Sequence, residues 1–507
     1  MNRYTLVAFV FIAVITTAVF ADSHDFITMA VSRDPVTLDP HGPMDPSAPV
    51  LLAQIYDTLL YQDAEGMIQP YLAESWEVSS QGRTVTFHLR NDVRFSNGTL
   101  LDVDAVIFTF ERLKEIALRS YIYGEMANIA SFDKLSEHSV RFNLRSPSST
   151  LLSALSFAYA AILDPGAVGD KGKSYGSSPV GSGPFMLESW DSQNSLTLVK
   201  NPFYEGHRPL DVGAPAGDIE GVRVVFAPSE ASRVSAMMAG EIDVAYLSSA
   251  SQVNRVTGTK NFWVMDDEVR GLVFVGFNTA KKPFDDPTIR KAVAMAINKE
   301  DILTLAIQGL GVVVHTPIPP SIFGYNPALE SEVVEYDPVA AGRVIEAAGI
   351  EGTKVKILTS NFPTYRTMAT ILQSELEQIG LSGEIEVLDF GAMIGAASAG
   401  RYDIVLTRYT WNDPDLLRIY LGTESIGRSN RYRYSNKKLD ELTSAGKREF
   451  DPSKRYEIYT EAQRIVMQDL PWIPLHMPIT KVAVNNRISN IQIVNNHVIL
   501  DNAVLSN

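Results

Sequence analysis

The chain has no cysteine among its 507 residues. This absence excludes disulfide bonds, thiolate metal ligands and thiol nucleophiles. It also excludes the cysteine that carries the lipid of a bacterial lipoprotein directly after its cleavage site. We therefore predict that the protein is not lipidated.

Long apolar runs are also scarce, and the one notable run lies at the N-terminus. Asn2 and Arg3 form a short basic start, residues 6–18 are apolar, and Val19 and Ala21 are small residues at the positions that a signal peptidase recognises. The run is shorter than the roughly 20 residues that span a bilayer, which disfavours the alternative of an uncleaved anchor helix. We predict a cleaved signal peptide at 1–21 and a periplasmic mature chain.

Basic residues are fewer than acidic ones, 44 against 59, and the formal net charge is −15. This balance disfavours nucleic acid and anionic lipid as partners. The hydrophobic content of 45% is typical of a soluble globular protein. The length exceeds what one core usually supports and predicts two or three lobes.

Catalytic and metal-binding patterns are missing from the sequence. The eight histidines are scattered singly, without an HExxH motif, and Gly172-Lys173-Ser174 lacks the upstream glycine of a phosphate-binding loop. Asp413-Pro414-Asp415 is interpreted as a binding or structural loop, because further oxygen ligands for a hard cation are not found nearby. The prediction is a carrier rather than an enzyme, with no cofactor and no metal.

Strand and helix patterns alternate along the chain, which favours an α/β fold. Residues 84–89, 140–144 and 195–198 alternate with period two and predict half-buried strands. Helices are predicted to start near Asp102, after Asp286 as N-cap, across 364–379, and from Ser453 as N-cap. The glycines in Gly181-Ser182-Gly183-Pro184 predict a tight turn with unusual backbone angles.

A series of short motifs resembles the family 5 extracellular solute-binding proteins, which serve ABC importers. The similarity runs from about residue 26 to the C-terminus, and the set is more specific than any single motif. In order, the motifs are PYLAESW (70–76), TVTFHLR (84–90), FSNG (95–98), VIFTFER (106–112), VGSGPF (180–185), NPFY (201–204), AGEID (239–243), FNT (277–279), PFDD (283–286), RKA (290–292), YDP (336–338), GRYD (400–403) and LPWIPL (470–475).

The resemblance implies a type II two-lobed periplasmic binding protein fold of the large cluster, with a ligand cleft between the lobes. Lobe I is expected at 22–276, with an extra subdomain at about 56–182, lobe II at 277–478, and a return to lobe I at 479–507. The chain is expected to cross between the lobes near 274–278 and 478–482. The implied partners are a small-molecule or peptide ligand and, at the inner membrane, an ABC permease with its ATPase. We expect a monomer.

Candidate ligand-binding residues cluster at a predicted strand end and in the loop after it. A guanidinium group suits a carboxylate or phosphate, aromatic faces supply apolar area, and a carboxylate pairs with an ammonium or hydroxyl group. In dipeptide binders of this family an aspartate after a tryptophan meets the peptide ammonium group, but here that loop is shorter, so that aspartate is either missing or replaced by Asp413. The candidates are Arg408, Tyr409, Trp411, Asn412 and Asp413, with Arg366 in lobe II and Arg33 and Asp45 in lobe I.

The predicted function is capture of a peptide-like or other polar small solute for an ABC importer. The shortened loop and Arg408 keep an oligosaccharide, an opine or a sugar-phosphate conjugate open as alternative ligands. Two other classes also remain: a secreted hydrolase with an unrecognised site, and a chaperone that binds many peptides with weak selectivity.

Overall fold

The computed structural model describes residues 25–43, 45, 47–116, 122–208, 217–494 and 496–506. The predicted signal peptide lies outside the described residues. Strands and helices are mixed throughout, which confirms the α/β prediction. In the described residues the strands are β1 Phe26–Val31, β2 Leu60–Gln62, β3 Ile68–Pro70, β4 Ala73–Val78, β5 Thr84–Leu89, β6 Ile129–Ser136, β7 Ser139–Leu144, β8 Phe185–Asp191, β9 Ser195–Lys200, β10 Gly221–Phe226, β11 Val244–Leu247, β12 Phe262–Glu268, β13 Gly271–Phe277, β14 Gly311–Val313, β15 Lys354–Ser360, β16 Ser382–Leu388, β17 Ile404–Thr410, β18 Trp472–Asn485, β19 Ile488–Ser489, β20 Gln492–Val494, β21 His497–Ile499 and β22 Val504–Leu505.

The helices cover the faces of these sheets. Within the same residues they are α1 Pro49–Ile55, α2 Val103–Ile116, α3 Tyr123–Asn128, α4 Thr150–Ala154, α5 Pro165–Lys171, α6 Glu230–Met238, α7 Ala250–Thr257, α8 Pro287–Ala296, α9 Lys299–Asp301, α10 Pro338–Ala347, α11 Pro363–Gln378, α12 Phe390–Ser398, α13 Leu416–Leu421, α14 Lys437–Arg448 and α15 Pro452–Asp469.

One long strand, β18, belongs to both lobes. Its first half pairs antiparallel with β13 and β14, and the lobe II sheet continues through β17, β15 and β16. Its second half pairs antiparallel with β11 and β12, and the lobe I sheet continues through β1, β10, β9 and β8. The change of partners along β18 falls at Pro478 and Ile479, because Pro478 pairs with β14 and Ile479 with β12.

The second connection between the lobes lies between β12 and β13. β12 pairs with the lobe I half of β18, whereas β13 pairs with β17 and the lobe II half. The two residues between these strands are Val269 and Arg270, so the predicted boundary at Gly276 falls inside β13. The domain limits remain a prediction, for which strand pairing favours 269–270 and 478–479 as the crossings.

Buried apolar side chains form separate clusters for the two lobes. Two clusters draw on residues 27–262 and 482–503, and two others draw on residues 272–477 on opposite faces of the lobe II sheet. A four-stranded antiparallel sheet, in the order β4-β5-β7-β6, extends lobe I within the predicted subdomain. Separate cores allow the lobes to move as units about the two crossings.

Most local predictions are confirmed, including the strands at 84–89 and 195–198 and the Asp286 cap, whose carboxylate accepts from the Thr288 amide at 2.7 Å. The Ser453 cap was wrong. Asp451 caps α15 instead, with Oδ1 accepting from the amides of Ser453 and Lys454. The Asp451 carboxylate lies just before the helix and satisfies two of the free N–H groups of the first turn. Ser453 lies inside that turn, so its hydroxyl is not needed as the cap.

The prediction for the glycines at 181 and 183 was also wrong in its reason. Neither has a positive φ. A Cβ on Gly181 would lie 2.0 Å from the Ile55 carbonyl oxygen, and one on Gly183 would lie 2.6 Å from the Ile55 carbonyl carbon. The glycines are required because the backbone packs directly against the end of α1.

Candidate functional site

A cavity of about 520 Å³ lies at the boundary between the lobes. Lobe I contributes the segment after α4, the end of β2 and the tail near β21, while lobe II contributes the end of β17 and the loop after it. Its volume lies within the range of roughly 300–1,000 Å³ that is typical of small-molecule sites. The lining residues are Pro49, Gln62, Ser156, Phe157, Ala158, Tyr159, Arg270, Arg408, Thr410, Trp411, Asn412, Asn496 and His497.

Arg270 lies at the crossing from lobe I to lobe II and is 7% exposed. Its Nη2 donates to the backbone oxygen of Asp63, whereas its buried Nη1 makes no hydrogen bond to any described residue. Burial lowers the pKa of Arg270 to about 10, so the group remains charged at neutral pH. The cavity therefore contains a buried guanidinium group that is bonded on one side only.

Asp63, Asp267 and Glu65 lie near enough to Arg270 to raise its pKa, but none of these three acids forms a salt bridge with it or lines the cavity. Asp267 accepts a hydrogen bond from Asn496 Nδ2 at 2.7 Å, and burial raises its pKa to about 6. Burial, with a smaller contribution from Arg270, lowers the pKa of His497 to about 4, so this histidine is neutral at pH 7. The fixed charge on the cavity wall is consequently positive.

Strand β17 determines which of the predicted residues face the cavity. Side chains alternate between the two faces of a strand, so Arg408 and Thr410 lie on one face and Tyr409 on the other. Arg408 and Thr410 line the cavity, and Trp411 and Asn412 continue the lining in the loop. Tyr409 is 2% exposed and packs among Phe274, Tyr420 and Trp472, with its hydroxyl donating to the Pro317 carbonyl.

Asp413 belongs to a buried cluster away from the cavity lining, which we call the Asp413 cluster: Ser153, Asp413 and Arg455. Ser153 Oγ of lobe I donates to Asp413 Oδ2 at 2.6 Å, and Arg455 Nη2 donates to Oδ1 at 2.6 Å. Burial alone would raise the pKa of Asp413, but Arg455 and these hydrogen bonds lower it. The carboxylate joins the two lobes, and Asp413 is not among the residues that line the cavity.

Further polar contacts join the lobes beside the cavity. Gln62 and Asn412 bond reciprocally: Gln62 Nε2 donates to the Asn412 backbone oxygen at 2.8 Å, and Asn412 Nδ2 donates to Gln62 Oε1 at 3.0 Å. Farther along the boundary, Lys447 Nζ of lobe II donates to Glu125 Oε1 at 2.8 Å. These three contacts between the lobes are polar and directional, and Phe450 of lobe II adds an apolar contact by packing against the lobe I core.

A smaller side pocket of about 70 Å³ adjoins the main cavity in lobe I and shares Ser156, Ala158 and His497 with it. Arg208 and Tyr71 lie in its wall. Arg208 is held by buried carboxylates: its Nη2 lies 3.3 Å from Asp57 and its Nη1 lies 3.5 Å from Asp501. The charge of Arg208 is thus balanced within the protein.

Three other predicted residues lie outside the cavity lining. Arg366 is exposed on α11 beside a shallow surface depression. Arg33 pairs with Asp45 at 2.7 Å, and Asp45 also accepts from Ser47 and the Val36 amide. The backbone oxygen of Asp45 accepts a hydrogen bond from the hydroxyl of the lining residue Tyr159. The ligand-binding roles of all eight predicted residues remain predictions.

Sequence reasoning missed Arg270, Gln62 and the lining contributed by residues 156–159, 496 and 497. The local signal for Arg270 is a basic residue between the acidic end of β12 and the apolar strand β13, and nothing in the sequence indicates that the C-terminal tail returns to the cavity. In the described residues, three carboxylates (Asp102, Asp104 and Glu137) lie within 4.8 Å of one another, but Lys134 Nζ bonds two of them at the surface.

Across all the residues that the structure describes, no helix is long and apolar enough to span a membrane.

Two α/β lobes around a cavity with charged and aromatic walls define a two-lobed solute-binding protein. The family model "Bacterial extracellular solute-binding proteins, family 5 Middle" matches residues 67–425, and the chain belongs to this family. Similar curated proteins include Di/tripeptide-binding protein 2 of Pseudomonas aeruginosa (28% identity, covering 86% of each chain) and the glutathione-binding protein GsiB of Escherichia coli K12 (27%, covering 89% of this chain and 88% of that one). A similar solved structure is the ABC transporter-associated periplasmic binding protein DppA of Helicobacter pylori with the peptide STSA (27% identity, TM-score 0.74, covering 95% and 98%).

Proposed function

We propose that this chain is the periplasmic substrate-binding component of an ABC importer, and that it captures a peptide-like or other polar small solute. The observation that carries the proposal is the cavity at the boundary of the lobes, whose volume and mixed aromatic and charged walls suit such a solute. The names of the similar peptide-binding and glutathione-binding proteins support this class of ligand.

The proposed mechanism is stabilisation of the closed form by the solute. Gln62 and Asn412 bond across the boundary only when the lobes are together, and both also line the cavity. A solute that contacts both lobes therefore favours the same arrangement as these bonds, and the permease recognises the closed form. The protein acts by binding and release, without catalysis.

A second candidate ligand is an opine, an oligosaccharide or a sugar-phosphate conjugate. The observation that favours it is the position of Asp413, which bonds Ser153 and Arg455 and is not available to a peptide ammonium group.

Maturation is proposed to follow the N-terminal pattern, with cleavage after Ala21, no lipid anchor and a monomeric periplasmic product.

A thermal-shift screen of the mature chain tests the proposal. The library contains dipeptides, tripeptides, glutathione, opines and oligosaccharides. We expect at least one compound to raise the melting temperature, because a ligand that binds the native state alone stabilises it. Chromatography of the binding mixture should recover that compound unchanged. Conversion of the compound to a product would contradict the proposal, as would the absence of any shift across the library.

A further inference from the structure

We propose that the solute is an organic anion with at least two acidic groups and an apolar or ring portion, and that Arg270 and Arg408 bind these acidic groups. This inference rests on the proposed function and narrows its ligand class. Arg270 was not among the residues expected from the sequence.

The first step of the argument is the incomplete bonding of Arg270. A guanidinium group offers donors in a fixed fork that matches the two oxygens of a carboxylate or phosphate. Arg270 uses one terminal nitrogen for the Asp63 backbone and leaves Nη1 buried without a hydrogen bond to the described residues. Because a buried charge is costly unless it is paired, an acidic group on the ligand is the natural partner.

The second step is that protein carboxylates do not occupy this role. In the described part of the chain no carboxylate lies within 4 Å of the Arg270 nitrogens, and none lines the cavity. Of the acids that act on Arg270, Asp63 bonds Gln69 Nε2 and the Met67 amide, Asp267 bonds Asn496, and Glu65 is not part of the cavity lining. Arg408 adds a second cationic side chain to the wall. Two cationic groups without acidic lining favour a ligand that carries two negative charges.

The third step concerns the remainder of the ligand. Phe157, Tyr159 and Trp411 line the same cavity from the two lobes. Aromatic faces favour apolar groups or the faces of rings, so the acidic groups are expected to be joined by such a portion. A free ammonium group finds no carboxylate in this lining, which separates the inferred ligand from a simple dipeptide.

Isothermal titration with three defined probes tests this inference. N-succinyl-phenylalanine has two carboxylates and no amine, N-acetyl-phenylalanine has one carboxylate, and Ala-Phe is a zwitterion with the same ring. We expect affinity to fall in that order. Arg270→Gln and Arg408→Gln should each weaken binding of the succinyl probe by roughly 10-fold to 100-fold, the size of one charge-assisted hydrogen bond. The exposed Arg343→Gln on α10 is the matched control and should leave affinity unchanged.

Each outcome decides the inference separately from the proposed function. Equal or tighter binding of Ala-Phe would overturn the anionic ligand class while leaving a solute carrier in place. Failure of all three probes to bind would also overturn it. If Arg270→Gln alters the melting temperature of the free protein, the affinity of Arg408→Gln for the succinyl probe decides the inference, because Arg408 is exposed and does not support the core. Unchanged affinity in Arg408→Gln contradicts the assignment of that residue.

Discussion

Two arginines, Arg455 and Arg270, are buried beside the boundary between the lobes, and their surroundings differ. Arg455 bonds the carboxylate of Asp413 and the Gly446 carbonyl, and its guanidinium lies 5.2 Å from the ring centre of Tyr459. Burial alone would lower the pKa of Arg455, but Asp413 raises it. Arg270 has one backbone bond and a lowered pKa. The first arginine has its counter-charge within the protein, whereas the second is suited to a counter-charge that arrives with a solute.

The largest expected effect on stability comes from removing the carboxylate that pairs with Arg455. Asp413→Ala should lower the free energy of unfolding by about 3–5 kcal/mol, because Arg455 would remain buried without its carboxylate. Urea denaturation measures the change. Asp104→Ala removes an exposed carboxylate that bonds Lys134 and should cost far less, because solvent screens an exposed ion pair. A loss in Asp413→Ala no larger than in Asp104→Ala would remove the distinction between the two arginines.

The next effect concerns the acid near Arg270. Because the pKa of Asp267 is raised to about 6 from 3.8, the folded protein binds an extra proton between these values and loses stability as pH rises through them. Asp267→Asn should remove this loss. The difference in the free energy of unfolding between variant and parent should therefore be roughly 1–3 kcal/mol more favourable to the variant at pH 7 than at pH 4. Melting curves across this pH range measure the difference. Parallel pH profiles of the two proteins would contradict the expectation.

A smaller effect is expected at the lobe I side of the Asp413 cluster. Ser153→Ala removes one hydrogen bond across the boundary but leaves Asp413 paired with Arg455, so stability should fall by about 1 kcal/mol. The contact holds the lobes together, so small-angle scattering of the free variant should give a larger radius of gyration than the parent. An unchanged radius would indicate that this bond does not contribute to closure.

The smallest stability effect is expected for Arg270→Gln. Removing a buried charge that lacks a paired carboxylate should change the free energy of unfolding by less than about 1 kcal/mol, or increase it. The same substitution reduces affinity for the dianionic probe, so stability and binding separate. A large loss of stability would mean that Arg270 is structural, as Arg455 is.

Sequence patterns predicted the parts of this molecule that depend on local periodicity. The alternation at 84–89 and the Asp286-Pro287 helix start follow from short-range geometry, and both are present. The same alternation could have separated Arg408 from Tyr409, because consecutive residues of a strand face opposite sides. The resemblance of a series of short motifs, spread along most of the chain, identified the family, which local periodicity could not do.

The rest of the site depends on contacts between residues far apart in the chain. Ser153 and Asp413 are 260 positions apart, and Gln62 and Asn412 are 350 positions apart. No local pattern indicates that Asp413 is paired with Arg455 rather than exposed to a ligand. Arg270 similarly owes its position to the crossing between the lobes, which only the pairing of β12 and β13 along β18 defines.

Native mass spectrometry of the protein purified from its source without dialysis tests the central claim most directly. The protein should carry a small molecule with at least two acidic groups, and the double variant Arg270→Gln/Arg408→Gln, prepared in the same way, should not carry it. Equal retention of the same molecule by the double variant, or a bound molecule without acidic groups, would contradict the claim that these two arginines recognise the solute.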